Sequence, residues 1–141
     1  MSITAASMSQ LLTLTQERNF YQMQQIYWSN EHTAMTAKVK QHQKYETKWT
    51  KAYDEIMNRT DDKTEVKGYT VGVESQAIAY ADSVCKEYDE ETLLELSNLE
   101  VEYESMQAMY ETLLEETNAR IDQQKELVKT NATDTGLING G

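Results

Sequence analysis

Apolar and polar residues along this chain recur with the period of a helix. Between about Glu17 and Arg59, Phe20, Met23 and Tyr27 stand three and four apart, and Ala34 and Ala37 follow. Tyr45, Trp49, Ala52 and Ile56 then continue at four, three and four. Such spacing gives a helix one face to lay against a partner. Residues 38–44 are nearly all polar, so the stripe is thin there. Ser29 and Asn30, both good N-caps, mark the place where this first helix would break if it breaks. From Ser75 the pattern resumes with Ile78, Ala81, Cys85 and Tyr88. Leu96, Leu99, Tyr103, Met106, Tyr110 and Leu113 keep a strict three-four alternation, a heptad seam. The stripe then passes to Leu114, Ile121 and Val128, seven apart, as a straight helix drifts against a seven-residue repeat.

Between the two periodic stretches the character changes. Residues 59–75 mix Asp, Thr and Gly with Tyr69, Val71 and Val73, whose alternation has period two and uses β-formers. This predicts a Gly-containing mid-chain loop with room for a short β-strand or hairpin. Residues 1–16 carry no charged side chain and are rich in Ser, Thr, Ala and Gln, and residues 130–141 hold Gly, Asn and Asp. The expected order is therefore an uncharged arm (1–16), helix one (17–58), a loop (59–75), helix two (76–129) and a flexible tail (130–141). Proline is absent from all 141 residues and only five are glycine. Proline breaks helices by removing a donor and clashing with the preceding turn, so its absence favours long uninterrupted helices. The fold class read from this is all-α: a single domain formed by an elongated antiparallel helical hairpin or coiled coil.

Composition sharpens that reading. Only 39% of residues are hydrophobic and there is one Phe, enough to bury a narrow stripe but not a thick core. The net charge is −11, which argues against nucleic acid and against anionic lipid as partners. No apolar run reaches the roughly 20 residues of a membrane span, and no Lys- or Arg-led signal peptide is present. The chain is expected to be cytoplasmic or exported without a cleaved signal. The single cysteine, Cys85, excludes an intrachain disulfide and reads as a small packed residue.

The charge is unevenly divided. Residues 1–67 hold nine Lys or Arg against eight Asp or Glu, and residues 68–141 hold four against sixteen. Lys38, Lys40, Lys44, Lys48 and Lys51 form a basic stretch, and Glu87, Asp89, Glu90, Glu91 and Glu95 an acidic one. A fold-back about Gly68 sets residue i against 136−i, so that Lys44 meets Thr92, Lys51 meets Cys85 and the two stretches lie side by side. The remaining acids, Glu100, Glu102, Glu104, Glu111, Glu115 and Glu116, have few bases opposite and read as a solvated face or a docking surface for a basic partner.

No residue set carries an enzymatic signature. His32 and His42, ten apart on one helix, lie about 15 Å from each other and read as surface histidines. Neither has the Glu three residues earlier that a diiron bundle uses. Gly68 and Gly72 lack the Gly-Lys-Ser/Thr ending of a phosphate loop. The expectation is a non-enzymatic protein with no cofactor and no metal.

The seam expected to join the helices is Tyr45, Trp49 and Ile56 with Leu96, Leu99, Tyr103, Met106, Tyr110 and Leu113. Phe20, Tyr21, Met23, Ile26, Tyr27 and Trp28 run nearly all the way round helix one, more than one partner helix can cover, and of these Phe20, Met23, Ile26, Tyr27 and Trp28 are singled out. They form the candidate assembly interface, with a second copy or another helical protein as partner. A long helical hairpin without proline behind an uncharged Ser/Thr/Ala-rich start resembles the secreted axial proteins of flagellar and type III secretion systems, whose N-terminus serves as an uncleaved export signal. Secreted hairpins of the Trp-x-Gly type are similar in outline, although Trp28-Ser29-Asn30 is not Trp-x-Gly. No family is assigned. The function expected is a structural subunit that self-assembles through apolar helix faces, a bacterial surface or secretion-type component or a phage particle component. The alternative is an acidic helical adaptor or chaperone-like module for a basic partner protein.

Overall fold

The computed structural model describes residues 3–60 and 67–140, and side chains at 3–59 and 72–133. The described residues form three helices and no strand: α1 (Ile3–Thr60), α2 (Lys67–Val84) and α3 (Glu90–Gly140). The fold is all-α. Two compact units divide it: Met1–His32 with Glu102–Gly141, and Thr33–Val101. No described helix is long and apolar enough to cross a membrane.

α1 starts at Ile3, so the uncharged arm expected over 1–16 is helical from its third residue. Ser and Thr disfavour helix because their hydroxyls compete for backbone groups. Here the competition is settled inside the helix: Thr13 Oγ1 donates to Ser9 O at 3.1 Å and Thr15 Oγ1 to Leu11 O at 2.8 Å. α1 also continues without a break through Ser29 and Asn30 to Thr60. Its buried and half-buried positions keep a seven-residue register. Ser7, Leu14, Tyr21, Trp28, Met35, His42, Trp49 and Ile56 form one row, and Leu11, Arg18, Gln25, His32, Val39, Glu46 and Tyr53 the other.

In the first unit the opening half of α1 packs antiparallel on the later part of α3. Trp28 meets Tyr103 and Tyr21 meets Tyr110. Ser7, 5% exposed, accepts at its carbonyl from Gln124 Nε2 at 2.8 Å and at its hydroxyl from Asn131 Nδ2 at 2.7 Å. Thr117 and Ile121 are buried, with Leu114 and Val128 half-buried. The flexible tail expected from residue 130 is replaced by helix, tied at its start by Asn131 and by Thr133 Oγ1 donating to Lys129 O.

In the second unit Val73, Ala77 and Ala81 of α2 and Cys85 just past its end, each four after the last, form a buried row. Three of these four are small, which lets helix backbones approach closely. Met35, Val39, His42 and Ala52 of α1 are buried in the same unit. The stripe therefore runs through residues 38–44, expected to be thin, on Val39 and His42. Ile78, expected in the stripe, is 40% exposed.

Two further expectations are corrected. The period-two run Tyr69, Val71, Val73 lies in α2, not in a β-hairpin, because the four-residue step from Val73 to Cys85 decides which face is buried. Gly68 and Gly72, read as the turn, lie in that helix as well, and residues 61–66 fall outside the described set. Helix two, expected over 76–129, starts earlier at Lys67 and is interrupted between Val84 and Glu90.

Gly72 tests the helical assignment directly. It has no positive φ, is exposed, and a Cβ built on it meets nothing within 4 Å. Replacing a helical glycine of this kind with alanine is worth about 0.5–1 kcal/mol. Gly72→Ala is expected to raise stability by that amount in urea denaturation; a turn or hairpin there would make it neutral or destabilising.

Candidate functional site

The chemistry of the second unit gathers where α2 ends and α3 begins. Cys85 N–H still donates to Ala81 O at 2.9 Å, closing α2. A continuous helix would then send the Asp89 N–H back to the carbonyl of Cys85. Instead it donates to Nε2 of His42, on α1, at 3.1 Å. The same ring nitrogen lies 2.9 Å from the Asp89 carbonyl, which already accepts from Leu93 N–H at 3.0 Å. With its proton on Nδ1 the ring accepts the Asp89 N–H through Nε2; with its proton on Nε2 it donates to the Asp89 carbonyl, and either way it is fixed on this backbone segment.

Asp89 is the N-cap of α3. Its carboxylate accepts from the Thr92 hydroxyl at 2.6 Å and from the Thr92 N–H at 3.1 Å. Those two bonds, the hydroxyl first, hold the Asp89 carboxyl below its ordinary value. Glu90 and Glu91 follow in the first turn, where acids suit the helix dipole.

His42 is only 6% exposed, so its reading as a surface histidine is corrected. The signal was present: His42 stands seven from Met35 and seven from Trp49, on the stripe. Its ring packs against Tyr45 and Tyr88, and Trp49 packs on Tyr53 and Tyr88. Trp49 Nε1–H donates to Asp82 at 2.8 Å. The Tyr88 hydroxyl donates to Glu46 at 3.4 Å; burial first, then that carboxylate, raises the phenol above its ordinary value. Cys85 is buried as expected, its Sγ 3.5 Å from the Glu87 carboxylate. The Glu87 carboxyl is held below its ordinary value by a backbone N–H, next by Cys85, with Lys48 and Lys86 adding charge.

These contacts also reset the register. His42 with Asp89 and Trp49 with Asp82 have numbers adding to 131, not 136, because the fold-back does not centre on Gly68. Lys44 therefore stands level with Glu87, and Lys51 with Tyr80. Among the described residues the ion pair formed is Arg59 with Glu55, one turn apart on α1; none joins the basic stretch to the acidic one. Lys40, Gln43, Lys44, Thr47, Lys48 and Lys51 share one solvent-facing side of α1 in this unit.

All nine seam residues expected from the sequence, Tyr45, Trp49, Ile56, Leu96, Leu99, Tyr103, Met106, Tyr110 and Leu113, are half-buried. The five candidate interface residues divide. Phe20, Met23, Ile26 and Tyr27 are exposed by 53, 69, 55 and 52%. Trp28 is half-buried, its ring 5.3 Å from Tyr103 and 5.0 Å from Tyr27, and its indole N–H is buried without an acceptor. The four exposed side chains form one patch on the side of α1 away from its buried rows. Phe20 also lies against α3, its ring 6.5 Å from that of Tyr110. No protein-family model, characterised protein or solved structure matches the chain.

Two outcomes are expected at the helix break. His42→Ala leaves the Asp89 N–H without its acceptor, and should lower stability in urea denaturation by about 1–3 kcal/mol. Asp89→Ala should lower the thermal midpoint most at neutral pH. The Asp89 carboxyl has a folded value below its unfolded one, so its contribution is full above the unfolded value and is lost as pH falls through the folded value. The midpoint gap between wild type and Asp89→Ala should close over that acidic range in melts run at successive pH values.

Proposed function

We propose that this chain is a non-enzymatic structural subunit that self-assembles through apolar helix faces, as a bacterial surface or secretion-type component or a phage particle component. The observation that carries the reading is the exposed patch Phe20, Met23, Ile26 and Tyr27 on one stretch of α1. Single exposed apolar residues need no explanation, but four large ones contiguous on a helix mark a surface that something covers. The helix beneath them lays Tyr21 and Trp28 against α3, and the patch still leaves more than half of each of its four side chains open to water. The uncharged, Ser/Thr-rich opening of the chain supports an exported or particle setting through its resemblance to secreted axial proteins.

Phe20 and Tyr27 are 53 and 52% exposed, so covering what remains open of each is worth about 1 kcal/mol. Phe20→Ser with Tyr27→Ser should therefore weaken self-association about tenfold or more, with helicity by circular dichroism retained. Size-exclusion chromatography with light scattering reads the outcome. A wild-type protein that stays monomeric at high concentration, and forms a complex only when a basic helical protein is added, would establish the acidic adaptor reading in its place.

A further inference from the structure

We propose that copies of this chain dock on one another through two opposite charge stripes, Lys40, Lys44 and Lys51 on α1 of one copy and an acidic row on α3 of the next. The inference rests on the self-assembling reading above and assigns it a second, separate surface.

A helix turns 100° per residue, so Lys40, Lys44 and Lys51 fall within about 40° of arc and span about 16 Å. All three are exposed on the same solvent-facing side of α1. Lys48 lies to one side of this row and acts on Glu87 of its own unit. On α3, Glu104, Glu111, Glu115 and Asp122 also fall within about 40° of arc, and all four are exposed. Ala108 and Ala119, exposed beside that row, keep it low enough for another helix to approach.

The spacings match. The lysines step by four and seven. Glu111, Glu115 and Asp122 step by four and seven, and Glu115, Glu111 and Glu104 do so in the opposite direction. Three lysines therefore meet three acids whether the helices run parallel or antiparallel. Among the described residues none of these groups has an ion-pair partner within the chain.

The two stripes are different surfaces, so each copy offers one and uses the other. Such heterologous contacts extend into filaments or close into rings. Exposed pairs contribute about 0–1 kcal/mol each, so the stripes set register and salt dependence while the apolar patch supplies affinity.

Charge exchange tests this. Lys44→Glu with Lys51→Glu, and separately Glu111→Lys with Glu115→Lys, should each weaken self-association about tenfold or more, since reversal replaces attraction with repulsion. Sedimentation equilibrium reads the association and circular dichroism confirms the helices. An equimolar mixture of the two variants should associate again, because each now complements the other. Wild-type association should also weaken as salt rises. Reversed variants that associate like wild type, or a mixture that fails to recover, would overturn the proposal. The Phe20→Ser, Tyr27→Ser protein separates the two readings. If it alone loses association, the apolar reading stands without the charge stripes; if only the charge variants lose it, the reverse holds.

Discussion

The stripe that α1 buries is one or two side chains wide, and the remaining helices are placed by what fits against it. Few of the described residues are buried, and several that are (Ala52, Ala77, Ala81, Cys85) are small. Aromatic rings lying half in and half out provide the rest of the contact. A ring in that position removes a large area from water without needing a thick core. This is how a chain with 39% hydrophobic residues maintains helices of 58 and 51 residues. It also explains why Gln25, His32 and Glu46 are tolerated on the seam: each reaches the edge of a stripe that water still touches.

Polar groups fix what the narrow stripe leaves undetermined. A row of small apolar residues can slide by a turn at little cost, whereas a hydrogen bond to a particular backbone group cannot. His42 on the Asp89 N–H and Trp49 on Asp82 each name one partner. Ser7, receiving both Gln124 and Asn131, does the same in the other unit. Direct ion pairs between the basic and acidic stretches play no such part, although their composition suggested it.

Much of the helical architecture was legible because it depends on local properties. The absence of proline and the three-four spacing from Leu96 to Leu113 both speak for helix, and the passage of the stripe to Leu114, Ile121 and Val128 could be read from their seven-residue steps. The misreadings came where two local signals competed. Phe20, Met23 and Tyr27 have helical spacing, but so do Tyr21, Gln25 and Trp28 one position over, and the latter row is the one that packs. Tyr69, Val71 and Val73 alternate like a strand, while Val73 also opens a row of four-residue steps. Residues 1–16 have the composition of a loose arm, yet from residue 3 they form helix, with Ser7 buried and held by Gln124 and Asn131 of α3. The break before Glu90 was written as an N-cap, Asp89 followed by two glutamates, but the surrounding acids disguised it as a charge run. The partner that makes the break possible, His42, lies 47 positions away in sequence, beyond the reach of local pattern.

The two tryptophans fall one to each unit. Trp28 lies against Tyr103 in the first, and Trp49 lies among Tyr53, Tyr88 and Asp82 in the second. Their surroundings differ in kind, since one indole N–H is buried without an acceptor and the other is bonded to a carboxylate. Each unit thus carries its own built-in fluorophore with a distinct environment. Emission from a protein retaining only one of them follows the melting of one unit, and comparison of the two curves measures whether the long helices they share make the units unfold together.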